Sequence, residues 1–155
     1  MGLILACIFE HTTNKYLKIR IEFMFGDVMK VRMRIDKIGD NDYKVVLDGD
    51  GVEFRKRKIY VRTKKDVVFL VNQILPVVNR KYKLMMFEDS SVKLVNLETS
   101  VSTPLNGYTD AFSIGKDIDE FTDALKDLLN FCIDISANDK LQEPIERREI
   151  ELEVD

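Results

Sequence analysis

The sequence predicts an α+β fold, a curved antiparallel sheet of about seven to eight strands packed against two amphipathic helices. Three observations carry that reading. Apolar and charged residues alternate with a period of two through Tyr16–Asp36; two later segments, opening near Asp66 and Asp117, space apolar residues at helical intervals; and Asp, Asn, Gly and Pro gather at the joints between them. With 155 residues, 45% apolar and 33% charged, and three prolines, the composition is that of an ordinary globular chain with enough apolar material for a core. Residues 1–135 are expected to form one domain and residues 136–155 an acidic, strand-like tail.

The apolar run Gly2–Phe9 has the length of a strand, about half that of a membrane span. It lacks the basic flank and cleavage site of a signal peptide, and Ala6 stands where a myristoylation motif requires Ser or Thr. It reads as a buried strand. Next, Leu17, Ile19, Ile21, Phe23 and Phe25 alternate with Lys18, Arg20, Glu22 and Met24, and Met29, Val31, Met33 and Ile35 alternate with Lys30, Arg32 and Arg34. Residues directly opposite each other in a hairpin share a face, so odd positions must pair with odd ones, and the loop at Gly26-Asp27 must hold three or five residues. Pairing Phe23 with Val31 then sets Glu22 opposite Arg32, Lys18 opposite Asp36 and Arg20 opposite Arg34. The last pair is like-charged and unfavourable unless an anion or a neighbouring acid sits over it.

Tyr43–Leu47 reads as the following strand, Asp48–Gly51 as its turn, and Val52–Thr63 as a long return strand. Val52 and Phe54 are apolar at even positions and Ile59 and Val61 at odd ones, which calls for a bulge within Arg55–Lys58. Asp66 is expected to cap a helix running to about Arg80, its apolar face made by Val67, Leu70, Val71, Ile74, Leu75 and Val78, with Pro76 kinking or shortening it. Lys83–Phe87 and Val92–Leu97 form a second hairpin, Ser100–Thr109 a long loop, and Ala111–Ile114 a further short strand. A second helix spans about Asp117 to Ile135, with Ile118, Phe121, Leu125, Leu128, Leu129, Cys132 and Ile135 on one stripe and Asp119, Glu120, Asp123 and Asp127 outside. Offset by 51 residues, the two helices repeat the pattern Lys-Asp-apolar and five apolar positions, as a duplicated strands-then-helix unit would.

Charge sharpens the picture. The net value of −3 hides two halves: residues 1–85 hold 18 Lys/Arg against 10 Asp/Glu, and residues 86–155 hold 6 against 17. The positive excess falls on even positions of the early strands: Lys18, Arg20, Lys30, Arg32 and Arg34, then Lys56, Lys58 and Arg62, with Tyr16 and Tyr60 at the same parity. Cations that follow phosphates, interleaved with rings that stack on bases, are what a single-stranded nucleic acid requires of a sheet. The competing reading is a solvated outer face. The negative excess lies on the second helix and on the tail, where Glu149, Glu151, Glu153 and Asp155 alternate with Ile150, Leu152 and Val154 at strand period. Such a tail can dock on a sheet edge of its own chain or of a second copy, giving a homodimer, or it can mimic phosphate and compete for the basic face.

Catalytic patterns are missing from this sequence. It holds no phosphate loop, dinucleotide fingerprint or nucleophile elbow, and its lone His11 has no partner arrangement for a triad or a metal centre. Asp40, Asp42, Asp48 and Asp50 miss the calcium-loop spacing, since Ile59 stands where the bidentate Glu belongs, and turn chemistry accounts for them. Asp119 with Asp123 reads as part of a solvated helix face. No metal or other cofactor is therefore expected. Cys7 and Cys132 fit reduced core residues and a cytoplasmic setting.

Strands followed by a helix, twice over, is similar in order of elements to the Whirly and Pur-type single-strand-binding folds. The likeness lies in that order alone and carries over no residue; what it implies is a non-catalytic protein that binds single-stranded DNA or RNA on a sheet face. The alternative is a small protein-interaction module, an inhibitor, immunity or counter-defence protein, acting through the acidic helix and tail.

Overall fold

Val31, Met33 and Ile35 are fully buried while Arg32 and Arg34 between them are half-buried, the alternation from which the register was expected. The computed structural model describes residues 3–8, 18–25, 29–49, 55–114 and 117–138, with the backbone alone for those before Val31. In chain order these form β1 (Leu3–Ile8), β2 (Lys18–Phe25), β3 (Met29–Gly39), β4 (Asp42–Gly49), β5 (Arg57–Val61), α1 (Lys64–Val78), β6 (Tyr82–Met86), β7 (Val92–Asn96), β8 (Ser102–Pro104), a single 3-10 turn at Asp110–Phe112, and α2 (Ile118–Ala137). Phe23 pairs with Val31, Glu22 with Arg32, Arg20 with Arg34 and Lys18 with Asp36, as parity required, and the Phe25–Met29 pair leaves three residues between the strands.

The fold is α+β with two antiparallel sheets, a five-stranded one in the order β1-β2-β3-β4-β5 and a three-stranded one in the order β6-β7-β8. One continuous curved sheet is thus corrected to two separate ones. The reason lies at the edge of β6, where the Asn72 side chain of α1 donates to the Leu84 carbonyl at 2.9 Å and accepts from the Leu84 N–H at 2.8 Å. The backbone groups that would join β6 to another strand are taken by a helix side chain.

One core joins both sheets and both helices. Val31, Met33, Ile35, Tyr43, Val45, Leu47 and Val61 from the odd positions of β3–β5 are fully buried, and so are Phe121, Leu125, Leu128, Leu129 and Cys132 of α2. The Tyr43 and Phe121 rings stack at 4.2 Å and 15°, placing α2 over the odd face of the five-stranded sheet. From α1, Val67, Leu70, Val71, Ile74 and Leu75 enter the same core.

Several boundaries differ from expectation. Thr63, not Asp66, is the N-cap of α1; Asp66 is its third residue, and its carboxylate reaches back to accept from the Thr63 N–H at 2.9 Å. The helix ends at Val78, two residues beyond Pro76, which cannot donate to the preceding turn. Within the expected long loop, residues 102–104 form the edge strand β8, which closes on Pro104. Ala111 lies in a 3-10 turn rather than a strand, held by Phe112 N–H to the Thr109 carbonyl at 3.0 Å and Ser113 N–H to the Asp110 carbonyl at 3.1 Å. Asp117 caps α2 by accepting from the Glu120 N–H at 2.8 Å, and this bond holds its carboxyl below the usual carboxylate range. The helix continues through Ala137, with Ser136 buried and donating to the Cys132 carbonyl at 2.7 Å. No helix among the described residues is long and apolar enough to cross a membrane.

Candidate nucleic-acid interface

Because α2 covers the odd positions of β3–β5, the even positions of these strands form the opposite face. Register arranges them in rows. Lys18, Asp36, Lys44 and Tyr60 make one row, Arg20, Arg34, Val46 and Lys58 the next, and Glu22, Arg32 and Asp48 a third. For Lys18, Arg20 and Lys30 the strand register alone is described, and Tyr16 lies outside the described residues, as do His11, Asp50, Val52, Phe54 and the tail with Glu149, Glu151, Glu153 and Asp155.

Among the remaining expected site residues, Arg32 and Arg34 are half-buried, and Lys56, Lys58, Tyr60 and Arg62 are exposed. They do share one side of the sheet, but not as a bare cationic surface. Arg32 lies 3.3 Å from Asp48, Arg62 lies 3.0 Å from Asp42, and Asp36 sits between Arg34 at 4.0 Å and Lys44 at 3.9 Å. Asp36 thus lies beside Arg34, one member of the like-charged Arg20–Arg34 pair. Its side chain is 7% exposed, and among the described residues neither its Oδ1 nor the buried Nε of Arg34 has a hydrogen-bond partner, 4.0 Å being too long for one. Lys56 and Lys58 take part in no ion pair among the described residues.

Sequence reasoning missed Lys44, Asp36, Asp42 and Asp48 as members of this face. Parity was the available signal, since all four are even-numbered and lie on β3 or β4. Asp42 and Asp48 belong to β4 rather than to turns, whereas Asp40 and Asn41 do form the β3–β4 turn, with Asn41 at φ 56°. Tyr60 differs from expectation in another way. Its ring, 44% exposed, has the Arg62 guanidinium 5.3 Å from its centroid, so a stacking base must share or displace that cation.

Between β3 and β4 the face dips into an open depression of about 200 Å³ lined by Arg32, Met33, Arg34, Val46, Asp48 and Lys56. A second, of about 270 Å³, lies on the far side of the molecule between the 3-10 turn and α2, lined by Asp110, Glu120, Asp123, Ala124 and Asp127. The two are opposite in charge, and the sheet and its covering helix lie between them. Among the described residues no group of three or more His, Cys, Asp or Glu is arranged to hold a metal ion.

No family model matches the chain, and no curated protein or solved structure gives a significant match.

Proposed function

We propose that this chain is a non-catalytic protein that binds single-stranded nucleic acid across the even face of its five-stranded sheet. One observation carries the reading: six cations (Arg32, Arg34, Lys44, Lys56, Lys58 and Arg62) stand with one exposed ring, Tyr60, on the face turned away from both the core and the acidic helix. Among the described side chains three carboxylates, Asp36, Asp42 and Asp48, reduce that excess to three charges, so affinity should be modest and the salt dependence shallow. Each phosphate neutralised contributes about 0.7 to the logarithmic salt slope for a single strand, which gives a slope of about two.

The separation of the two charged surfaces supports the same reading. Because α2 packs on the odd face, its outer carboxylates do not occupy the even face on which the strand would lie. The tail remains the candidate competitor in cis, and its removal should begin after Asn138, because Ser136 is part of the core.

Fluorescence anisotropy with labelled single-stranded DNA and RNA across a salt series tests the proposal. Micromolar binding that weakens with salt supports it, and tightening on removal of residues 139–155 supports competition by the tail. Absence of binding at low salt by both the full and the shortened chain sinks it. The acidic depression on α2 favours the second reading, an interaction module for a basic protein partner, and that outcome would leave it standing.

A further inference from the structure

We infer that the depression between β3 and β4 receives one phosphodiester group of the bound strand and that Asp48 is the residue this group displaces, so that Asp48 sets the affinity of the face. The inference rests on the nucleic-acid reading above and names its anion subsite.

Three features of the depression lead to it. Arg32, Arg34 and Lys56 converge on it from two segments, while its inner surface includes Val46, a residue only 5% exposed, so an anion seated there exchanges water for guanidinium and ammonium donors. The buried Arg34 Nε, like the Asp36 Oδ1 beside it, has no hydrogen-bond partner among the described residues, so this guanidinium keeps donor capacity for an acceptor that reaches it. Among the described residues Asp48 is the carboxylate that lines the depression, bound to Arg32 at 3.3 Å with both side chains partly exposed, at 40% and 31%. An exposed pair of this kind is weak and exchangeable. Asp36 cannot play this part, because at 7% exposure it is enclosed and does not line the depression. In the free protein, then, Asp48 occupies the arginine that a phosphate oxygen takes in the complex, in a direct ion-pair exchange without covalent change.

The experiment compares the full-length chain with its Asp48→Asn, Arg32→Gln and Asp48→Asn/Lys56→Gln variants, using a fluorescein-labelled oligothymidylate and a salt series. Asn retains an oxygen that can accept the Gly49 N–H now bound by Asp48 at 2.9 Å, so the fold is expected to persist, and thermal melting checks this. Asp48→Asn is expected to tighten binding roughly threefold to tenfold, and the added Lys56→Gln to reverse most of that gain. Arg32→Gln is expected to weaken binding and to lower the salt slope by about 0.7, the share of one phosphate contact. If the parent chain binds but Asp48→Asn binds no better, the exchange is overturned while the face reading stands. If neither the parent nor Asp48→Asn binds at low salt, the face reading falls and the subsite with it. A gain in Asp48→Asn that survives Lys56→Gln in full also overturns the subsite, since it would show the charge acting at a distance.

Discussion

The two faces of the five-stranded sheet are built from alternate residues of the same strands, yet they are held by different physics. On the odd face Val31, Met33, Ile35, Tyr43, Val45 and Leu47 are fully buried against α2, and their contribution scales with apolar area removed from water. On the even face Arg32, Arg34, Lys44 and Arg62 meet Asp48, Asp36 and Asp42 in pairs at 3.0–4.0 Å, most of them partly solvated. Exposed pairs contribute little to stability. The odd face therefore determines whether the chain folds, while the charged residues of the even face can vary at little cost to stability.

Four measurements test that division. The largest effect is expected from Phe121→Ala, which removes the ring stacked on Tyr43 at 4.2 Å and leaves a cavity beneath the sheet; urea unfolding should show a loss of about 3–5 kcal/mol. A loss below about 1 kcal/mol would mean that α2 is not the element that holds the odd face. Next comes pH. Burial pushes the Cys132 thiol up to about 12, and burial, followed by the charges of Asp117 and Glu120, pushes the Tyr43 hydroxyl up to about 12. Both groups are raised in the fold, so their contribution is complete below the unfolded values near 9 and 10 and is lost as pH rises toward 12. Stability should fall by about 4 kcal/mol by pH 11, and Cys132→Ala with Tyr43→Phe should flatten the decline; parallel profiles for parent and variant would contradict it.

Smaller effects belong to the border and to the even face. Asp66→Ala removes the carboxylate that accepts the Thr63 N–H at the start of α1 and should cost about 1 kcal/mol, visible as a lowered melting temperature. Asp42→Ala breaks the 3.0 Å pair with Arg62, whose side chain is 58% exposed, and should change stability by less than about 0.5 kcal/mol while binding of a single strand stays equal or tightens. A destabilisation as large as that of Phe121→Ala would erase the distinction between the faces.

Much of the fold was legible because its signals are local. The period of two in residues 17–35 gave the hairpin and its register, down to the like-charged Arg20–Arg34 pair. The stripe from Ile118 to Cys132 gave the buried side of α2. What failed was of two kinds, fine backbone geometry at element ends and pairing between residues distant in sequence. Asp66 has the chemistry of an N-cap, yet Thr63 adopts the extended φ of −135° and ψ of 167° required there, and Asp66 serves it from inside the helix. Ala111 and Phe112 close a 3-10 turn through hydrogen bonds three residues apart, a pattern their apolar character alone does not distinguish from a short strand. For the candidate site, the cations were readable and their neutralisation was not, because Asp48 is 16 residues from Arg32 and Asp42 is 20 from Arg62.

By itself, the sequence determined which residues face the core and which face outward, since side-chain direction in strands and helices repeats at fixed periods of two and about 3.6 residues. It also determined that the positive and negative excesses sit on different elements. Only the tertiary structure decided that the strands divide into two sheets, because Asn72 had to fold onto Leu84 before the edge of β6 was closed. It decided too that the basic and acidic surfaces lie on opposite sides of the sheet, and that three carboxylates stand among the cations. These are matters of which elements pack together, and packing is a property of pairs of segments that no single segment encodes.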